Sequence, residues 1–368
     1  MTTLEGFDQL EDPRSDRDLQ YSFEGMLFLI LTAVVSDCNS STEISFFGSM
    51  HLQWYQRHGH FLDGRTPSHD TVGDLLKRLD PEAFQICFTS WMTRLCDLSD
   101  GDLLVVDGKR LRGSYDRLDG KEAIHMVSLW SRENQMVLGQ LAVDDKSNEI
   151  TAIPLLLKIL DIEGATVSID AMGCQREIAK QIREHKAHYL LGLKGNQPTL
   201  LEEVEMAFVH HKFSSSHQDD TKGHGRVETR VCDVIDDPAL IHRHQQWEDL
   251  ASLIRIRSST YHVLEDKTTE QVRFYISSLA KDAKGFNDLV RGHWSIENQL
   301  HWCLDVSFGE DASRVRKGHG DQNMAIIRRA ALTLCKMDNS SKWSLKLKRK
   351  AAAYSDAYRE KLLRLQTR

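Results

Sequence analysis

Residues 103–107 read LLVVD, four apolar side chains followed by an acid. A short valine- and leucine-rich run, preceded by the turn-forming LSDGD at 98–102, has the look of a strand buried on both faces. Such a strand delivers Asp107 at its C-terminal end. The pattern returns in Ala165 to Ile169, reset by Gly164 and ending on Asp170. Between the two, Ile124 to Ser131 and Met136 to Val143 are strand candidates separated by Arg132, Glu133, Asn134 and Gln135, a gap short enough for an antiparallel hairpin. After the polar loop Asp144 to Thr151, Ala152 to Leu160 reads as a helix with Pro154 tolerated in its first turn. A helix over Gln175 to His185 and a strand over His188 to Leu193 complete the series, which ends in Lys194-Gly-Asn-Gln-Pro.

The order is therefore strand, strand, strand, helix, strand, helix, strand. It predicts a mixed α/β (α+β) fold with a ribonuclease-H-like core, in which two acids stand at neighbouring strand ends and a late helix brings a third. A doubly wound nucleotide fold would alternate strand and helix from the start and would need a glycine-rich phosphate turn, whose spacing LGLKGNQ at 191–197 lacks.

The candidate for the late helix is RGHWSIENQLHWCLD, 291–305, within a helix expected from about Asp282 to Val306. At about 100° per residue, His293, Glu297, His301 and, one step round, Asp305 share a stripe beside Leu300 and Leu304. Such a helix packs by its leucines and tryptophans and still offers Glu297 to a shared site. Trp294 and Trp302 are read as core.

Upstream, residues 1–100 read as a helical domain. Phe23, Leu27, Leu31 and Val34 make a stripe capped near Ser22, and Thr42 to His58 forms a second helix with Phe46, Phe47, Met50 and Trp54 inward. Pro67 and Ser68 open a helix to Arg78, and Asp80-Pro81 opens another to about Cys96. This pair has helix-turn-helix geometry, with ordinary packing as the alternative to base reading. The core then divides into 101–197 and 281–322 around a β-rich insertion at 198–280. The insertion is read as a helix near Thr199 to His210, a polar loop to Gly225, and strands at Val227 to Ile235, Leu250 to Ser258 and Val272 to Ser278.

Residues 323–368 form a basic helical tail. The net charge is −7, but Arg314 to Arg368 alone holds 15 Lys and Arg against 4 Asp and Glu. That asymmetry suggests a polyanion-binding segment, or else a solvated amphipathic helix. The 7 cysteines include no CxxC pair and read as reduced packing residues rather than a zinc or disulfide framework. The longest apolar run, Met26 to Val35, falls short of the ~20 residues of a membrane span, and it follows an acidic start unlike a signal peptide. A cytoplasmic protein is expected, nucleoid-associated in a prokaryote.

Three clustered carboxylates repel one another unless something neutralises them, and Mg2+ or Mn2+ does so through hard oxygen ligands. Two such ions ~3.5–4 Å apart support in-line phosphoryl displacement. A zinc site built on His293, Glu297 and His301 is disfavoured, because HExxH is absent and the stripe spans two turns. The histidines are read as contacting phosphate or orienting Glu297, or as satisfied core residues.

At these motifs the sequence resembles the H-repeat-associated insertion-sequence transposases of the DDE superfamily, related to cut-and-paste transposases with a β-strand insertion. The match runs nearly end to end, through VVDGKRLRGS at 105–114, DDKSNEITAIP at 144–154, SIDAMGCQ at 168–175, LKGNQ at 193–197, HGRVETR at 224–230 and YISSL at 275–279. The resemblance implies that Asp107, Asp170 and Glu297 are the catalytic, metal-binding triad, and that the N-terminal helices are the domain associated with this group. It further implies hydrolysis at the ends of the element, a freed 3′-hydroxyl that attacks target DNA, and a homodimer on double-stranded DNA. The tyrosine, arginine and lysine of the related Tyr-Arg-Glu-Lys signature are missing at their usual spacing, so His293, Arg291 and Lys194 are candidates to replace them. Lys109, Arg112, Arg226, Arg230, Arg314 and Arg316 are candidate phosphate contacts. A nuclease without strand transfer and a decayed DNA-binding relative are the competing readings.

Overall fold

The computed structural model describes residues 7–15, 20–96, 98–115, 122–143, 149–223 and 225–365. The expected loop at 144–151 thus lies outside the described residues up to position 148, as does His224 of the HGRVETR motif.

Five helices come first: α1 (Phe23–Val35), α2 (Ser41–Met50), α3 (Leu52–Arg57), α4 (His69–Arg78) and α5 (Pro81–Leu95). Their starts are where cap chemistry puts them, since Ser22, Ser40, Ser68 and Asp80 each accept a hydrogen bond from a first-turn amide. The single helix expected over Thr42 to His58 is broken at His51. As a result Trp54 turns inward while Phe46 and Met50 stay exposed. The α4–α5 turn is held from inside the molecule, because the Asn323 amide donates to the carbonyls of Leu76 at 2.8 Å and Leu79 at 2.9 Å.

The sheet contains β1 (Leu103–Arg110), β2 (His125–Ser131), β3 (Met136–Val143), β4 (Thr166–Ile169) and β5 (His188–Leu193), with α6 (Glu149–Ile159) and α7 (Arg176–Glu184) between them. After α8 (Pro198–His210) come β6 (Ser215–Gly223), β7 (Arg226–Ile235), β8 (Ser252–His262) and β9 (Lys267–Ser277). The order across the sheet is β3-β2-β1-β4-β5-β9-β8-β7-β6. β1, β4 and β5 are parallel and β2 runs against its neighbours, which is the ribonuclease-H-like order. The insertion extends the same sheet through an antiparallel β5–β9 pairing. β6 lies where the sequence suggested a loop. Its SSHQDDTKG has no apolar face, and it is a strand because β7 offers it a nine-pair register from Ser215↔Val234 to Gly223↔Arg226.

Strand alternation assigns the two faces. Leu103 and Val105 of β1 pack in one core, while Leu104 and Val106 join α6 and α7 in the other. Asp107 continues the first set. On β4, Val167 and Ile169 belong to the second core, so Ser168 and the following Asp170 project toward the face of Asp107. The pairing Val106↔Ile169, the last between β1 and β4, then puts the two aspartates opposite each other where β4 ends, although β1 does not end on Asp107 as expected but runs on to Arg110 against β2.

That face is covered by α9 (Ala283–His293), a widened turn at Glu297–His301, α10 (Trp302–Phe308) and α11 (Gly320–Met337). Gly292 lets α9 settle on β1, since a Cβ there would collide with Leu103. The chain ends in α12 (Leu345–Tyr354) and α13 (Asp356–Leu362). The expected basic tail is partly interior: α11 runs through the first core, and Arg328, Arg329, Lys348, Arg349 and Arg359 are all buried, while Lys342, Lys346, Lys350, Lys361 and Arg364 are exposed. Arg349 donates to the carbonyl of Val34 at 2.8 Å and to that of Ser307, the C-terminal ends of α1 and α10. It also pairs with Asp37 at 3.0 Å. Among the described residues no helix is long and apolar enough to cross a membrane.

Candidate active site

The helix expected to be continuous from Asp282 to Val306 is interrupted. After α9 the backbone widens into a single π turn, in which the amide of Trp302 bonds to the carbonyl of Glu297. Such turns frequently occur at functional sites. Here the widening leaves Leu300 and Leu304 in the core and carries the buried His301 ring up to Asp107 of β1.

Asp107, Glu297 and His301 offer ligand atoms that all lie within 4.8 Å of one another. The Nδ1 of His301 is 3.4 Å from Glu297 Oε2 and 3.7 Å from Asp107 Oδ2. Asp170 stands outside that set. One of its oxygens accepts from the amide of Met172 at 3.0 Å, capping a short turn at Ala171–Gly173. Gly192 of β5 leaves room for this turn, because a Cβ there would come within 3.2 Å of the Ala171 nitrogen. Asp170 still acts on Asp107 and His293 through its charge.

Burial, with further repulsion from Asp170 and Glu297, raises the Asp107 carboxyl to about 6 even though His301 opposes the rise. Glu297 is shifted the other way. Its hydrogen bond with His301 lowers it, helped by the charges of His301 and Lys109 against partial burial. Burial and like charge thus set Asp107 apart from Glu297, which His301 stabilises in its ionised form. Two carboxylates and an imidazole on one side, with a further carboxylate one strand away, fit a divalent ion in donor type and spacing.

His293 behaves differently from what its place on the stripe suggested. It is buried, its Nδ1 lies 3.0 Å from Ser168 Oγ, and burial lowers it to about 4, with Arg273 adding to the shift. It is therefore neutral at physiological pH and not a cationic phosphate contact.

Residues 98–334 match the family described as Transposase DDE domain, and residues 4–92 match the family described as DDE_Tnp_1-associated. The chain belongs to the DDE transposase family. It is similar to the protein named "Putative transposase YncI" of Escherichia coli O157:H7, 39% identical over 361 residues that cover 96% of this chain and 92% of that one. It is also similar to "H repeat-associated putative transposase YhhI" of Escherichia coli strain K12, 36% identical over 364 residues covering 96% of each chain. The resemblance to the H-repeat-associated group read from the motifs agrees with these relatives. Among solved structures, the piggyBac transposase synaptic complex with hairpin DNA aligns with 98% of this chain and 77% of its own at 12% identity and a TM-score of 0.47.

The cations expected to contact DNA occupy several settings in this transposase. Arg112, Lys194, Arg226 and Arg314 are exposed. Arg316 donates to the carbonyl of Gly113 at 2.9 Å, Arg230 pairs with Glu228 at 2.6 Å, and Arg291 pairs with Asp219. Lys109 is not displayed. Its ammonium is buried among Asp305, Glu310 at 3.0 Å and Asp311 at 3.6 Å, tying β1 to the segment after Glu297.

The sequence reading missed a polar groove of about 510 Å³ between the insertion and the start of the π turn, where Arg226, Arg230, Arg273 and Trp294 converge. Trp294 and Trp302 are surface residues rather than core, at 40% and 57% exposure, and the Arg273 guanidinium lies 4.5 Å from the centre of the Trp294 ring. The two tryptophans sit on the solvent side of a helix broken at the π turn, and periodicity counted along an unbroken helix misplaces them.

Proposed function

We propose that this transposase family member carries out divalent-metal-dependent hydrolysis of phosphodiester bonds at insertion-sequence ends and then joins the freed 3′-hydroxyl to target DNA. The observation that supports this most is the convergence of Asp107 and Glu297 on one face, with Asp170 opposite Asp107 at the end of the next strand. In this reading Asp107, Asp170 and Glu297 are the catalytic residues that hold Mg2+ or Mn2+. The bound ions would polarise the phosphoryl group and lower the pKa of the attacking water or hydroxyl.

The protein's own residues supply position and charge balance. His301 braces the Asp107 and Glu297 carboxylates. The neutral His293 holds Ser168, two residues before Asp170, against α9. Arg112, Lys194, Arg226 and Arg314 are the cations available to the DNA backbone, joined by Arg230 at the groove. DNA as substrate gives the nucleoid as the place of action in a bacterium, and holding two ends together calls for a homodimer on double-stranded DNA. Residues 1–100 serve as the associated helical domain, 101–197 and 281–322 as the catalytic core, 198–280 as the insertion, and 323–368 as the closing segment.

The test incubates the protein with oligonucleotides carrying the element's ends, a target duplex and Mg2+. Cleavage together with joined product is expected, and both should be lost in Asp107→Asn, Asp170→Asn and Glu297→Gln. Cleavage without joined product would identify a nuclease. DNA binding without cleavage would identify a decayed relative.

A further inference from the structure

We propose that His301 is itself a metal ligand, so that Asp107, Glu297 and His301 form a mixed nitrogen–oxygen site that prefers first-row transition ions, Mn2+ among them, to Mg2+. This rests on the metal dependence proposed above and adds a donor that changes which ion the site favours.

The geometry points to the imidazole for three reasons. Its Nδ1 is 3.4 Å from one carboxylate oxygen and 3.7 Å from the other. Adjacent ligands around an octahedral ion at ~2.1–2.2 Å are about 3 Å apart, so a small contraction brings all three donors onto one ion. Second, the ring is 5% exposed and its Nε2 has no protein partner among the described residues. All of its polar contact is made through the atom that faces the two acids. Third, the π turn begins at Glu297 and ends at His301, so the local departure from α-helix lies between these two proposed ligands. An ordinary core histidine does not require that departure.

Asp170 lies outside this set and caps its own turn. The three-donor group and Asp170 are therefore not equivalent. The nitrogen would serve an ion held by Asp107 and Glu297, and an ion held with Asp170 would have oxygen donors alone. Mg2+ takes oxygen donors almost exclusively, whereas divalent first-row ions gain affinity from an imidazole. Removing the ring should erase the preference without abolishing oxygen coordination.

The test uses the full chain without DNA, titrated with Mn2+ and followed by electron paramagnetic resonance. Electron spin-echo modulation from 14N is read on the bound ion, and Mg2+ affinity is obtained by competition. Wild type is expected to show imidazole-nitrogen modulation that persists in His293→Ala and vanishes in His301→Ala and His301→Gln. Those two His301 variants should bind Mn2+ about 10-fold or more weaker, with Mg2+ affinity changed far less. Circular dichroism checks that each variant is folded, and the wild-type nitrogen signal decides the matter even if a His301 variant is not. Mn2+ bound without nitrogen coupling would overturn this proposal and leave the metal-dependent reading standing. No binding by wild type, or binding unaffected by Asp107→Asn, would overturn both.

Discussion

Replacing Lys109 by methionine separates a structural ammonium from a DNA contact. Lys109 was one of the phosphate candidates, yet its ammonium lies 3.0 Å from Glu310, which is fully buried and also bonded by Arg329 at 2.8 Å. Burial alone would raise Glu310, but Arg329, Lys109 and Arg328 outweigh it and hold the carboxyl at about 2. Against an unfolded value near 4.3, the depression corresponds to ~3 kcal/mol from all three cations together. Arg329 and Arg328 remain in Lys109→Met, so the loss should be ~2 kcal/mol rather than the ~3–5 kcal/mol of a buried pair left with no partner. A depressed acid contributes stability above its unfolded pKa and loses it as pH falls through the folded one. The deficit should therefore be full at pH 7 and shrink between ~4.3 and about 2. Urea unfolding across that range, with Glu310→Gln and the double variant to close the cycle, measures it, and a coupling of ~1–2 kcal/mol is expected. If Lys109→Met leaves stability within ~0.5 kcal/mol at pH 7 and instead weakens DNA binding with a shallower salt dependence, the buried-clamp account is wrong.

Asp107, raised to about 6, should make metal affinity pH-dependent: below that pH a proton competes with the ion, and binding should fall about tenfold per pH unit by calorimetry. The sign of its linkage is opposite to that of Glu310. The metal-free protein should lose stability as pH rises from ~4 to 6, and added metal should restore it. Arg349→Met removes the donors to Val34, Ser307 and Asn39, and should cost ~3 kcal/mol while raising amide exchange in α12 and α13 ahead of the sheet. Arg226→Ala should weaken binding to any duplex alike and lower the log–log salt slope by about 1, measured by anisotropy at several salt concentrations.

The parts of the fold that could be read from the sequence were those written in local chemistry. LLVVD and ATVSID read as strands because each is a short run rich in β-branched residues, reset by a glycine-containing turn, which suits a sheet covered on both faces, and Ser22, Ser68 and Asp80 announce helices because their side chains satisfy first-turn amides. The facing of Asp107 and Asp170 follows from parity along two such strands. What could not be read depends on partners distant in sequence. β6 has no apolar alternation and owes its strand to β7. The π turn is set by packing Leu300 and Leu304 while His301 meets Asp107, a contact that no count of 3.6 residues per turn contains. The burial of His293 follows the same logic: the stripe placed it beside Glu297, and packing against the sheet beside Ser168 buried the ring and so decided its charge.

Charge counting failed at the C-terminus for a related reason. A tally of 15 cations against 4 anions treats every charge as free, and so suggests a polyanion-binding tail. In the fold buried members are paired, Arg329 with Glu310 and Arg349 with Asp37 from outside the tail, Arg359 with Asp356 and Lys348 with Asp338 within it. Several also close the carbonyl ends of helices, where a cation offsets the negative pole. An unpaired arginine in such positions would carry a desolvation cost of several kcal/mol, so Arg329 and Arg349 can be interior because acids from the rest of the chain, Glu310 and Asp37, meet them there. The net acidity of the remainder is thus partly the complement of the tail's basicity. The charge asymmetry records an intramolecular fit between α11–α13 and the segments carrying Asp37 and Glu310, and only the exposed residue of that balance is left to attract DNA.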